Sequence, residues 1–339
     1  MYKNGKTEKL KERKTEANRK MNQLYQPEGA RIATQENREY LSSLAGLERA
    51  MNQGAIVEGI ATLCDSHMCL HVDLHCAKGI ITPEEAVYCR TGETRKDIAI
   101  ITRVGKPVAV RVLGIEMRNG EPTVILSRRL GQKACVEHFM SNCRVGDVIP
   151  ARVTHMEPFG AFLDIGCGVS SLLSVDCISV SRISHPRDRI KCGMELSVVV
   201  KTIDRESGRI YVTLRELLGT WEENASGFEV GQTVAGIIRS VESYGVFVEL
   251  TPNLAGLAEL HDGMTERLRA SIGQRAAVYV KSIVPERMKI KLVLIDICGA
   301  EMPSYKLRYY VDPCVTQHLS RWVYSPIGAR KTVETVFDQ

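Results

Sequence analysis

The sequence predicts an all-β protein built from three small five-stranded barrels in tandem. Its first support is an internal repeat: a pair of glycines marks each of three similar segments, and a valine follows the second glycine by seven positions. These positions are Gly54, Gly105 and Val112, then Gly146, Gly193 and Val200, then Gly231, Gly273 and Val280. Self-similarity without gaps indicates repeated structural units. Its second support is that the segments contain short alternating runs and no regular helical inserts.

The second copy shows the strand pattern most clearly. Alternation and β-branched residues predict strands at Val148–Thr154, Ala161–Ile165, Leu196–Ile203 and Ile210–Leu214. Turn residues separate them, Gly166 and Gly168 among them. Five short strands in one unit are typical of the OB-fold, a barrel whose outer face and loops bind oligonucleotides.

Short helices are predicted to join the copies. Arg128–Asn142 joins the first to the second, and Arg215–Gly227 joins the second to the third. The predicted organisation is a basic arm at 1–45, a degenerate domain at 46–130, domains at 143–216 and 228–297, and a tail at 298–339 rich in Tyr and Arg.

The N-terminal arm is predicted to be helical or disordered. Within Met1–Lys20, eight Lys and Arg face three Glu, a balance of +5 (eight minus three), while the whole chain carries +5. Such an arm either contacts phosphates or ribosomal RNA, or is a solvated helix that helps solubility. The sequence leaves both readings open.

The composition favours a cytoplasmic protein over a membrane protein or a secreted protein. No apolar run reaches the roughly 20 residues that span a bilayer, so we expect no membrane segment. The charged N-terminus lacks an apolar signal core. The eleven cysteines are an odd number with no Cys-x-x-Cys spacing, which indicates reduced thiols in a cytoplasmic protein.

One aromatic motif occurs twice. Phe159-Gly160-Ala161-Phe162 recurs as Tyr244-Gly245-Val246-Phe247, each thirteen positions after a repeat glycine. Each motif places two rings beside a glycine backbone. Exposed rings on a basic protein suit the stacking of bases from a single-stranded nucleic acid.

These motifs resemble the S1 RNA-binding domain family. The resemblance extends over the aromatic strands at 159–165 and 244–250, a loop at 182–186, the closing strands at 200–204 and 209–214, and a linker at 221–224. It is strong in copies two and three, weak in copy one and absent from both ends. The tandem arrangement is similar to that of the ribosomal members of the family.

The resemblance implies an RNA-binding face made of two aromatics, a histidine, an aspartate and a basic residue. Copy two has Phe159, Phe162, Asp204 and Arg209, with Ser174 in place of the histidine. Copy three has Tyr244, Phe247 and Lys289, with Glu259 and Val284 in place of the histidine and the aspartate. Copy one has His67, Leu70, Thr82, Glu116 and Glu121. Copy two is therefore the predicted best binder, copy three a partial one, and copy one a docking or structural module.

Further cations are expected to meet phosphates, namely Arg152 and Lys201. Asp204 is expected to accept a hydrogen bond from a base or a 2′-hydroxyl, or to hold Arg209. His67, Cys69 and His71 would share one strand face and could bind zinc, although ordinary strand residues are the competing interpretation. No nucleophile arrangement, phosphate-binding loop or nuclease-type acidic cluster occurs, so we expect neither catalysis nor a cofactor.

The predicted function is non-catalytic binding of single-stranded RNA, including mRNA, in the translation apparatus, with the small ribosomal subunit as a partner. Two alternatives remain open: a free RNA-binding regulator, and an accessory subunit of an RNA-processing enzyme.

Overall fold

The computed structural model describes residues 25–90, 92–118, 120–259, 269–299 and 307–338. These residues form three closed five-stranded barrels and one two-stranded sheet. The prediction of an all-β array of OB-fold barrels joined by short helices is thereby confirmed. Met1–Lys20 of the predicted arm lies outside the described residues, and the predicted domain boundaries stay predictions.

The first barrel follows two helices that pack against it. The Thr34 side chain caps the first helix and the Ser43 side chain caps the second, and each accepts a hydrogen bond from a backbone N–H in the first turn of its helix. Two more short helices lie between the third and fourth strands. The elements are α1 Gln35–Leu41, α2 Leu44–Gln53, β1 Val57–Cys64, β2 Leu70–Asp73, β3 Lys78–Ile81, α3 Pro83–Ala86, α4 Ile98–Ile101, β4 Pro107–Arg118 and β5 Glu121–Ser127.

The second and third barrels repeat the same strand order, in which the third strand pairs in parallel with the fifth. Helix α5, Arg128–Asn142, precedes the second barrel, and α6, Trp221–Ala225, precedes the third. A capping box between Thr220 and Glu223 begins α6. The strands are β6 Val148–Glu157, β7 Gly160–Asp164, β8 Ser170–Ser174, β9 Glu195–Asp204, β10 Arg209–Thr213, β11 Thr233–Glu242, β12 Gly245–Thr251, β13 Leu254–Ala258, β14 Arg275–Val284 and β15 Lys289–Ile297.

A short segment of the predicted arm lies between the first two barrels. Glu28 is buried and accepts two hydrogen bonds from Arg128, at 2.6 and 3.0 Å. The backbone N–H of Glu28 donates to Asp164 of β7 at 2.7 Å. Because a buried charge is stable only when paired and hydrogen-bonded, this cluster fixes the segment against both barrels.

A second buried ionic cluster joins barrels two and three. Glu249 of β12 is fully buried and pairs with Arg189, which precedes β9, and with Arg239 of β11, the latter at 2.6 Å. The two arginines come from different barrels. They therefore hold the barrels in one orientation.

The tail also bridges barrels two and three, through the sheet of β16, Arg321–Val323, and β17, Glu334–Val336. The buried Tyr324 hydroxyl donates to the Asn253 carbonyl at 2.6 Å. Tyr309 accepts a hydrogen bond from the backbone N–H of Ser197 at 3.0 Å. The tail, for which the sequence predicted no architecture, is thus built into the fold.

Candidate nucleic-acid interface

The aromatic motifs place two rings in edge-to-face contact on each of barrels two and three. Phe159 and Phe162 have ring centroids 6.1 Å apart at 88°, and Tyr244 and Phe247 are 6.2 Å apart at 89°. Phe159 is 56% exposed and Tyr244 63%, while their partners are half-buried. Each pair therefore presents one open ring face, supported from the side by the second ring.

The glycine between the rings is required by the backbone of the neighbouring strand. A Cβ at Gly160 would lie 2.5 Å from the Leu173 carbonyl oxygen, and one at Gly245 would lie 2.7 Å from that of Ala258. Both contacts are with backbone, which has little freedom to move. The glycine thus lets the third strand approach the turn that carries the exposed ring.

Strand register extends the aromatic surface of barrel two. Phe162 lies opposite Leu172, which lies beside Tyr211 of β10. These three side chains share the outer face, and each is half-buried. Sequence reasoning missed Tyr211, although the period of two from Arg209 places both on one face. In barrel three Lys291 occupies the equivalent place, beside Leu257.

An imidazole lies beside the Phe162 ring even though Ser174 replaces the family histidine. His155 of β6 stacks on Phe162, with centroids 6.2 Å apart at 21°. Its Nε2 lies 2.7 Å from Glu157. Ser174 instead donates its hydroxyl to Asp176, and this hydrogen bond lowers the pKa of the Asp176 carboxyl. His155 was not among the predicted residues.

Asp204 and Arg209 lie opposite each other in the β9–β10 hairpin. Asp204 accepts hydrogen bonds from the Ser207 hydroxyl and from backbone N–H groups of the turn, and these bonds lower its pKa. The hydrogen bonds that Asp204 accepts thus stabilise the turn. Arg209 donates a hydrogen bond to Glu93 of barrel one at 3.2 Å, and its charge also contributes to the lowered pKa of Asp204. The roles expected for Asp204 toward RNA stay predictions.

Two further residues that were predicted to contact phosphates form hydrogen bonds within the protein. Arg152 donates to the Glu28 carbonyl at 2.9 Å and to Glu195 at 2.8 Å. Lys201 Nζ donates to the Cys177 sulfur at 3.0 Å, and this bond raises the pKa of the lysine. In barrel three, Lys289 is exposed at the start of β15.

The strand register of barrel one corrects two of the predicted equivalences between its residues and those of the RNA-binding face of barrel two. His71 pairs with Leu63 as Phe162 pairs with His155, so His71 rather than Leu70 stands where Phe162 does. Leu70 is fully buried, because a one-residue offset in a strand turns a side chain to the opposite face. Likewise Thr123, not Glu121, lies opposite Glu116, because the β4–β5 hairpin is longer than the β9–β10 hairpin.

The described residues form neither a metal site nor a membrane-spanning helix. Within the described ranges, no group of three or more His, Cys, Asp and Glu side chains is placed to hold a metal ion, and His71 instead contacts Asp65 at 3.0 Å. No helix in the described part of the chain is long and apolar enough to cross a membrane.

Comparison with known proteins identifies the type of domain. Residues 143–215 match the model of the S1 RNA binding domain. The chain is 30% identical over 163 residues to small ribosomal subunit protein bS1 of Staphylococcus aureus (strain COL), covering 47% of this chain and 41% of that protein. It is 29% identical over 197 residues to the bS1 protein of Leuconostoc lactis, covering 55% and 45%. The matches therefore span less than half the length of these relatives.

Among solved structures, the chain is similar to a multidomain protein with nucleic acid binding domains from Streptococcus pneumoniae TIGR4. The identity is 15%, the TM-score is 0.23, and the match covers 72% of this chain and 74% of that one. The domain match and the bS1 relatives confirm the resemblance predicted from the motifs: the second barrel is an S1 RNA-binding domain.

Proposed function

We propose that the protein is a non-catalytic binder of single-stranded RNA, including mRNA, that acts with the small ribosomal subunit. The observation that carries the proposal is the exposed edge-to-face aromatic pair on each of barrels two and three. An open ring face can stack a base at about 1–3 kcal/mol, with little sequence preference because every base has a π-face.

Barrel two has the most complete site. Phe159 offers the exposed ring, Phe162 and Tyr211 continue the surface across the strands, and Arg209 lies on the outer face of β10. Ser174 lies across from Gly160 at the edge of this surface. Duplex RNA has no free base faces, so we expect the surface to prefer single strands.

Barrel three has the aromatic pair but a different polar environment. Lys289 offers a cation, whereas Glu259 contributes an exposed carboxylate within 4.0 Å of Lys281. Glu249 and the tail fix the orientation of this barrel to barrel two, and we propose that both barrels engage one RNA strand. Linkage of two weak sites raises affinity through effective concentration.

Barrel one lacks the aromatic pair, and we assign it a docking or structural role.

The similarity to bS1 proteins supports association with the small ribosomal subunit. RNA held in this way is withheld from base pairing by mass action. We assign no catalytic arrangement to the part of the chain that the structure describes, and we propose no cofactor.

The test is fluorescence anisotropy of a labelled single-stranded RNA against a duplex of equal length, over a salt series. We expect salt-sensitive binding that favours the single strand. Equal binding of the single strand and the duplex, or no binding of either, would refute the stacking mechanism.

Co-sedimentation with purified small ribosomal subunits tests the proposed association with the ribosome. RNA binding without co-sedimentation would favour a regulator that acts away from the ribosome.

A further inference from the structure

A basic cluster lies where the tail meets the β14–β15 turn of barrel three. It surrounds a shallow cavity of about 310 Å³. Two of its cations come from the barrel and two from the tail. The lining residues are Glu286, Arg287, Met288, Lys289, Arg330 and Lys331.

The two halves of the cluster are joined through the backbone. The Arg330 N–H donates to the Glu286 carbonyl at 2.9 Å. The barrel turn is tight, with Met288 at φ 50° in the left-handed region. In the tail, the Ser325 hydroxyl donates to the Lys331 carbonyl at 2.9 Å and accepts from the Val333 N–H at 2.6 Å. Backbone bonds therefore bring the four cations together.

The charge of the cluster is not neutralised within the described part of the protein. Four cations against Glu286 give +3 (four minus one) at this one cavity. Among the described residues, none of the four cations forms an ion pair, whereas Arg321 of the tail pairs with Glu334. The four cations are Arg287, Lys289, Arg330 and Lys331. Gathering like charges is unfavourable unless an anion binds them.

One member of the cluster, Lys289, shares a face with the aromatic pair of barrel three. Phe247 lies opposite Leu257, which lies beside Lys291 of β15. Lys289 is two residues earlier on the same strand and so projects from the same face. A strand stacked on Tyr244 and Phe247 would reach the cluster by continuing across β15.

We propose that this basic cluster binds backbone phosphates of the RNA strand held by the third barrel, and that the tail thereby forms part of the RNA interface. The inference rests on the proposed function. It adds Arg330 and Lys331 of the tail to the cations that Arg287 and Lys289 of the barrel offer.

The test compares the double variant Arg330→Gln/Lys331→Gln with Lys96→Gln/Lys106→Gln, which removes two exposed cations of barrel one. Both are measured in the full chain against labelled single-stranded RNA over a salt series. Each phosphate contact contributes about −0.7 to the slope of log affinity against log salt on a single strand. We expect the tail variant to lose about 1.4 of slope and the control to lose none.

Unchanged slope and affinity in the tail variant, or equal losses in the two variants, would overturn the proposal. Thermal unfolding checks that the tail remains docked, because these side-chain changes leave the Arg330 backbone bond in place. Titration with inorganic tripolyphosphate separates the two proposals. If the wild type binds no RNA but binds tripolyphosphate through Arg330 and Lys331, the cluster is an anion site and the proposed function fails. If it binds neither, both proposals are wrong.

Discussion

Glu93 of the first barrel accepts a hydrogen bond from Arg209 of the second at 3.2 Å, so a carboxylate occupies the position expected for a phosphate. Arg90 strengthens the contact, since its Nε donates to the Gly208 carbonyl at 3.0 Å. Glu93 raises the pKa of the Arg209 guanidinium. Exposed ion pairs contribute little to stability, which leaves the arginine available to a competing anion.

Glu93→Gln is expected to strengthen RNA binding, because the phosphate no longer competes with a carboxylate for Arg209. The gain in affinity should be at most about fivefold, because an exposed ion pair contributes little. Anisotropy with single-stranded RNA at low salt measures it. Glu84→Gln, which removes a carboxylate paired with Arg95 on the same barrel, is the control. Weaker binding by the Glu93 variant would contradict the competition.

Phe159→Ala combined with Tyr244→Ala should weaken single-stranded RNA binding strongly, because each exposed ring stacks a base at about 1–3 kcal/mol. The matched control is His67→Ala with His71→Ala on the first barrel. Leu70 is unsuitable because it is fully buried, and its removal would leave a cavity. Equal losses of affinity in the two double variants would refute the ranking of the barrels.

Tyr211→Ala should lower the RNA affinity of the second barrel by about 1–3 kcal/mol if its ring continues the stacking surface. Tyr211→Phe keeps the ring and removes only the hydroxyl, so it should bind almost as the wild type does. The same anisotropy titration distinguishes them. Normal binding by the alanine variant would show that the RNA path leaves the barrel before β10.

The free energy of unfolding is expected to fall as pH rises from about 5 to 8. Burial raises the pKa of Glu58 from 4.5 to about 7. A group whose pKa is higher in the folded state stabilises the fold fully at pH values below its pKa in the unfolded state, and this stabilisation is lost as the pH rises through its pKa in the folded state. The difference between the two pKa values of Glu58 corresponds to about 3 kcal/mol in the free energy of unfolding.

Glu58→Gln should flatten this pH dependence while its side-chain oxygen still accepts the Gly29 and Arg31 N–H groups. Urea unfolding at several pH values measures it, with Glu48→Gln, an exposed site, as control. Asp164, whose pKa burial also raises to about 7, leaves a residual slope. Identical slopes in the wild type and the Glu58 variant would contradict the prediction.

The repeat and the strand alternation were sufficient to predict the barrels, whereas the exposure of Phe159 and Tyr244 was predicted from the repeat together with the family resemblance, because aromatic residues in a strand more often face the core. Alternation sets which side of a strand faces the core, and glycine spacing sets where the turns fall. The same reasoning took Leu70 as the equivalent of Phe162, because an offset counted from Gly54 cannot detect a one-residue difference in strand register. Tyr211 and His155 were missed because their proximity to Phe162 arises from pairing between strands rather than from spacing along the chain.

The sequence by itself determined the repeat, the all-β class and the aromatic motif, since each depends on residue type and on spacing along the chain rather than on contacts between distant segments. Only the tertiary structure decided the partner of Arg209, the burial of Glu28 and Glu249, and the meeting of Arg330 with Lys289. These contacts join residues from different barrels or from the tail. They depend on how the units pack together, which no local spacing specifies.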